Sequence, residues 1–98
     1  MRYWLAPEAR DEYREAALYY VKDSPRIVAA FVEQVESGLA LVREQPTTWR
    51  VLRAGVRRYL VQQFPFGIYY TIEQDESIVW AIMHLHRQSG YWQERRKA

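Results

Sequence analysis

Two apolar runs late in the chain, Phe66-Gly67-Ile68-Tyr69-Tyr70-Thr71-Ile72 and Ile78-Val79-Trp80-Ala81-Ile82-Met83-His84-Leu85, are separated by a polar stretch around Gln74-Asp75-Glu76. β-Branched and aromatic residues dominate both, so the pattern predicts a β-hairpin. Strand side chains alternate between two faces, yet here both faces are apolar. Such strands belong at the centre of a sheet and need cover. A chain of 98 residues has room for one core between two layers, so helices from the same chain must supply the cover.

The first half of the chain supplies them. Residues 2–5, with Tyr3, Trp4 and Leu5, read as a short first strand. Pro7 suits the first turn of a helix, where its missing N–H has no partner to lose. Ala9, Tyr13, Ala16, Ala17 and Tyr20 then recur at helical spacing, and Glu8, Asp11, Glu12 and Glu15 crowd the positive end of the dipole. This helix runs to about Val21. Asp23-Ser24-Pro25 restarts the pattern, with Ser24 as N-cap and Pro25 as first helical residue. Val28, Val32, Val35, Leu39 and Val42 follow as an apolar stripe with Phe31 beside it, and the second helix ends at Gln45-Pro46. So short a connection predicts an antiparallel helical hairpin.

Beyond Pro46 the period changes. Trp49-Arg50-Val51-Leu52 reads as a strand, Gly55 as a turn, Arg57 to Gln63 as a second strand, and Phe64-Pro65 as the break after it. Ser89-Gly90 ends the sheet, leaving an aromatic and basic tail from Tyr91 to Lys97. The expected fold is α+β over residues 1–98 as one domain. An N-terminal strand and a helical hairpin pack on one face of a small antiparallel sheet. The opposite face of the central strands is then apolar, partly open and available to a partner.

Cysteine is absent, which excludes disulfides, thiolate metal sites and cysteine nucleophiles together. No signal peptide and no membrane-length apolar run is visible, so a soluble, cytoplasmic protein is expected. The net charge is only +2, but acidic residues concentrate before position 46 while Arg50, Arg53, Arg57, Arg58, Arg87, Arg95, Arg96 and Lys97 lie after it. That polarity suggests an anionic partner, a nucleic acid or an acidic protein segment, with a merely solvated basic face as the alternative. His84 and His86 stand two residues apart without a nearby carboxylate cluster, too few ligands for a required metal. No Gly-rich phosphate loop occurs, and the serines (Ser24, Ser37, Ser77 and Ser89) suggest no Ser-His-Asp set. No cofactor is expected.

The helical hairpin, then Arg57-Arg58-Tyr59, Phe64-Pro65-Phe66-Gly67-Ile68-Tyr69-Tyr70, Ala81-Ile82-Met83-His84-Leu85-His86-Arg87 and closing Gly90-Tyr91-Trp92 resemble the RelE/ParE superfamily of toxins from type II toxin–antitoxin systems. The resemblance covers nearly the whole chain. It implies a growth-inhibiting toxin neutralised by a cognate antitoxin in a hetero-oligomer, the antitoxin wrapping the toxin as a helix in a groove or a strand on the sheet edge. RelE-like members are ribosome-dependent mRNA endonucleases, whereas ParE-like members act on DNA gyrase without known hydrolysis of their own.

Both readings have candidate residues. An RNA cleaver must activate a 2′-OH, stabilise a pentavalent phosphate and protonate the leaving oxygen. Arg57, Arg58, His84, His86, Arg87 and Tyr91 could divide those roles, with His84 and His86 on one face of the last strand. Each also has a structural reading, as a hydrogen-bonding histidine, a solvent-facing arginine or a tyrosine packed on the sheet. The surface expected to meet a partner carries Arg57, Tyr69, Arg87, Tyr91, Trp92 and Arg95. Tyr69 and Tyr70 alternate faces, so at most one serves a given site. One departure favours the ParE-like reading. RelE-like nucleases commonly place an arginine near the position of Gly67, and glycine cannot clamp a phosphate.

Overall fold

The computed structural model describes residues 2–86. Its elements run β1 (Arg2–Leu5), α1 (Pro7–Val21), α2 (Pro25–Glu44), β2 (Val51–Arg53), β3 (Val56–Leu60), β4 (Phe66–Glu73) and β5 (Glu76–His84). The strands form one sheet in the order β1-β5-β4-β3-β2. β4 and β5 therefore each have two neighbours, which suits their apolar sequences. β2 to β5 make an antiparallel meander. β1 joins β5 in parallel, Arg2 against Glu76 through Leu5 against Val79, so the sheet is mixed and not purely antiparallel.

Local chemistry sets the boundaries. The Ser24 hydroxyl accepts the Ile27 N–H at 3.2 Å and caps α2, directly followed by Pro25. Two hairpins close through pairs of left-handed residues, Ala54-Gly55 (φ 52° and 78°) and Gln74-Asp75 (φ 51° and 64°). Two-residue turns of that hand match the twist of the strands they join. β3 is shorter than its sequence suggests, ending at Leu60 before a turn in which Gln63 takes φ 71°. β5 ends at His84, one residue earlier than expected, and β2 begins at Val51.

Both helices lie on one face of the sheet. Ala9 and Ala16 of α1 and Phe31, Val35, Leu39 and Val42 of α2 bury against Tyr59, Phe66, Ile68, Tyr70, Val79 and Ile82. Phe31 is the hub: its ring centroid is 5.0 Å from Tyr20 and 5.2 Å from both Phe64 and Phe66. The buried stripe of α2 thus centres on Phe31 and leaves Val32 exposed, a rotation from the all-valine line the spacing suggests. Gly38 allows the close approach. A Cβ there would fall 2.5 Å from Tyr59 Cε2 and 3.0 Å from Ile68 Cδ1. The Tyr13 hydroxyl donates to Glu36 at 2.8 Å and ties the two helices together. No helix among the described residues is long and apolar enough to cross a membrane.

Two features escape the sequence pattern. The β4–β5 register jumps between Tyr69 opposite Ala81 and Tyr70 opposite Val79, so Trp80 is an extra residue in a bulge. Its indole Nε1 donates to Thr71 Oγ1 at 2.9 Å and its ring meets Trp4 edge-on at 6.4 Å. Beyond Val79, no strand among the described residues lies on the β1 side of β5, because the chain turns away at Ala6 into α1. There the Glu12 carboxylate accepts the Ile82 N–H at 3.2 Å, satisfying a donor that a strand would otherwise take.

Candidate functional site

Alternation along the strands sorts the candidate residues. Arg57 pairs with Tyr70 and Arg58 with Tyr69. Tyr70 faces the helices, so Arg57 does too, while Arg58 and Tyr69 face away. Arg57 is a brace there. Its Nη1 donates to the carbonyls of Trp49 at 2.5 Å and Thr47 at 3.3 Å, holding the segment that leaves α2. The Tyr70 hydroxyl, fully buried, donates to the Pro46 carbonyl at 2.5 Å and secures the same segment. Burial pushes the Tyr70 hydroxyl up to about 12, with the Arg57 charge pulling the other way.

On the far face, Val56, Tyr69, Ala81 and Met83 form a second buried cluster with Trp80 against it. The expectation of an open apolar face is therefore corrected at its centre: Tyr69 is only 7% exposed. Exposed residues lie at its margins, with Trp4 on the β1 side and Leu52 and Leu60 on the β2–β3 side.

Gly67 sits on this far face, and the space its side chain would occupy is already used. A Cβ would lie 2.9 Å from Tyr69 Cε1 and 3.2 Å from both Cγ and Cδ of Arg58. The Arg58 stem thus crosses the glycine and fixes where its guanidinium emerges.

His84 closes β5 opposite Phe66, on the helix side, with its ring edge-on to Phe66 at 5.4 Å. His86 lies past the end of the strand. The rings nevertheless meet, centroids 5.0 Å apart, and the His86 N–H donates to His84 Nδ1 at 3.1 Å. Glu12, Glu15, Tyr19 and His84 line a groove between α1 and the end of β5. Arg57 and His84 are far apart, since their β4 partners Tyr70 and Phe66 stand four residues from each other. With about 3.3 Å per residue and about 4.8 Å between strands, the separation is about 16 Å. Arg57, Arg58 and His84 therefore do not converge on one phosphate. Arg87, Tyr91, Trp92 and Arg95 lie outside the described residues. Among the described residues, no group of three or more His, Cys, Asp or Glu is placed to hold a metal.

Sequence reasoning missed the Arg57 brace, the Trp80 bulge and a cleft at the β2–β3 margin, where Arg50, Leu52, Arg58 and Leu60 gather with Trp49 and Gln62. The cleft had one readable signal. Arg50 and Leu52 share parity in the run Trp49-Arg50-Val51-Leu52, as Arg58 and Leu60 do on β3.

Known proteins agree with this architecture. A chain of the chromosomal ParDE toxin–antitoxin system from P. aeruginosa matches with a TM-score of 0.76 over 86% of this chain and 95% of that one. At 15% sequence identity the likeness is one of fold. No curated protein matches the sequence. The model of the family described as ParE toxin of the type II toxin–antitoxin system parDE matches residues 3–89. The chain belongs to that ParE toxin family, within the RelE/ParE superfamily.

Proposed function

We propose that this chain is the toxin of a type II pair, that it acts in the cytoplasm by binding and inhibiting DNA gyrase, and that a cognate antitoxin neutralises it in a hetero-oligomer. Family membership supports the toxin reading. The observation that carries the choice of gyrase over mRNA is the filled notch at Gly67. The position where a RelE-like nuclease places an arginine has no room for a side chain, because Tyr69 and the Arg58 stem occupy it. The separation of Arg57, Arg58 and His84 supports the same choice, since general acid–base cleavage needs its groups within hydrogen-bond reach of one phosphodiester.

A protein partner suits the helical layer as well. Leu18, Tyr19 and Val21 near the end of α1 are each more than half exposed, and Ile27 and Val32 of α2 are exposed as well. Apolar side chains left out in this number mark a surface that a partner covers. An antitoxin segment that folds on binding is the expected cover.

The test is induced expression with and without the product of the neighbouring reading frame, followed by two assays on the purified chain. Growth arrest relieved by the neighbour, with lost supercoiling and broken DNA when the chain meets gyrase, is the expected result. Cleaved mRNA in a translating extract with gyrase unaffected would replace the target. Absence of arrest would overturn the toxin assignment itself.

A further inference from the structure

The β2–β3 margin carries a charge pattern to which the proposed function assigns no role. From Gln45 to Ile72 the sequence holds no acidic residue, but it holds Arg50, Arg53, Arg57 and Arg58. Arg57 is consumed as the internal brace. The other three lie on the surface, Arg50 and Arg53 exposed and Arg58 partly so. Val51 pairs with Arg57, the register shifts between Val51 and Arg53, and Arg50 and Leu52 line one cleft with Arg58 and Leu60. Arg53 sits at the tip of the same hairpin opposite Val56. Among the described residues, none of these three arginines forms an ion pair with a carboxylate.

Like charges gathered on adjacent strands repel each other and stabilise an anion placed among them. All three are arginines, whose planar fork matches phosphate oxygens. Leu52 stands between Arg50 and Arg53, and Leu60 lies beyond Arg58 in the same cleft, 40% and 46% exposed. Arginines flanking exposed leucines fit the minor groove of DNA, where cations read the backbone and apolar tips wedge against base steps. Thr47, Thr48, Gln62 and Gln63, all exposed around the same margin, are neutral donors of the kind that contact phosphate. Duplex DNA carries about one charge per 1.7 Å of axis, dense enough to engage three clustered guanidiniums at once.

We propose that the β2–β3 margin binds duplex DNA, with Arg50, Arg53 and Arg58 on backbone phosphates and Leu52 and Leu60 against the minor groove. Arg58 is the anchor, because the Gly67 notch holds its stem in place. The contact is with DNA itself and stands whether or not gyrase is the target, so the two readings fail separately.

Fluorescence anisotropy of a labelled 20-base-pair duplex with the full chain, over a range of salt, tests it. Binding should weaken with salt, and each arginine replaced by glutamine should flatten the slope of log K against log salt by about 0.9. The triple variant R50Q/R53Q/R58Q should lose at least about tenfold in affinity at low salt, while R50K/R53K/R58K retains most of it and controls for folding. Failure of the chain to bind the duplex would overturn the proposal. So would equal affinity in the triple glutamine variant, or tighter binding of single-stranded RNA or a polyglutamate peptide, which would mark the margin as a site for another polyanion.

Discussion

Replacing Tyr70 by Phe removes one buried hydroxyl and nothing else. That hydroxyl donates to the Pro46 carbonyl at 2.5 Å, and both residues are buried. The variant leaves an acceptor without its donor, at a cost of about 2 kcal/mol at neutral pH. With a urea slope of about 1.5 kcal/mol/M, the midpoint should fall by about 1.3 M, read by tryptophan fluorescence. Alkaline pH supplies an internal check. The folded-state value of Tyr70 is raised to about 12 from 10.0, so its contribution is complete below pH 10 and is lost as pH rises toward 12. At pH 11 the native chain has already given up about 1.4 kcal/mol through this group, whereas the Phe variant has no such group to ionise. The gap between the two proteins should narrow from about 2 to about 0.6 kcal/mol. Tyr13 and Tyr20 are also shifted upward, chiefly by burial, but they are present in both proteins and cancel in the difference. A gap that stays constant from pH 7 to pH 11, or a Phe variant as stable as the native chain at pH 7, would refute the role assigned to this bond.

Other substitutions separate packing from binding. Gly38→Ala gains about 1 kcal/mol of helix propensity but drives a Cβ into Tyr59, so a net loss of about 1 kcal/mol is expected in urea melts. Gly67→Ala should cost about 1–3 kcal/mol by displacing the Tyr69 ring and should confer no RNA cleavage in a translating extract; a gain of cleavage would restore the nuclease reading. Arg57→Gln should lower stability by about 2 kcal/mol through its two carbonyl bonds, while Arg58→Gln should stay within about 0.5 kcal/mol of the native chain. Equal melting of those two variants would dissolve the distinction between brace and surface cation. Removing residues 91–98 takes away Tyr91, Trp92 and the cations Arg95, Arg96 and Lys97, and growth arrest on induction should weaken.

The elements most legible in the sequence are those whose causes are local. Ser24-Pro25 announces α2 because an N-cap and a proline act on the first turn alone, and the cap bond is present. The β4–β5 hairpin is legible from its composition, and the Gln74-Asp75 turn has the hand that such a hairpin requires. Non-local choices are hidden. Nothing in Arg2–Leu5 states that the strand will run parallel to β5, a partner more than seventy residues away. Trp80 has no composition that distinguishes a bulge from a regular strand residue, and its displacement follows from the fit to Thr71 and Trp4. The centring of α2 on Phe31 depends on the sheet it meets, where an aromatic cluster from three segments already waits.

The same limit governs the candidate site. Arg57 and Arg58 are adjacent and chemically identical, so composition treats them as one basic pair. Strand alternation sends them to opposite faces, and what each then does is decided by its surroundings. On the helix side the carbonyls of Thr47 and Trp49 await a donor, because the chain leaving α2 has no helical partner for them, and Arg57 is absorbed into the fold. On the far side the absence of a side chain at Gly67 leaves a channel for the Arg58 stem, and its charge is delivered to the surface beside Arg50. The glycine that weakens the case for a phosphate clamp on β4 is thus the residue that lets β3 present a cation at that margin. A missing arginine at one position and a positioned arginine at the next strand are two consequences of one small residue, and only the second concerns what the surface can bind.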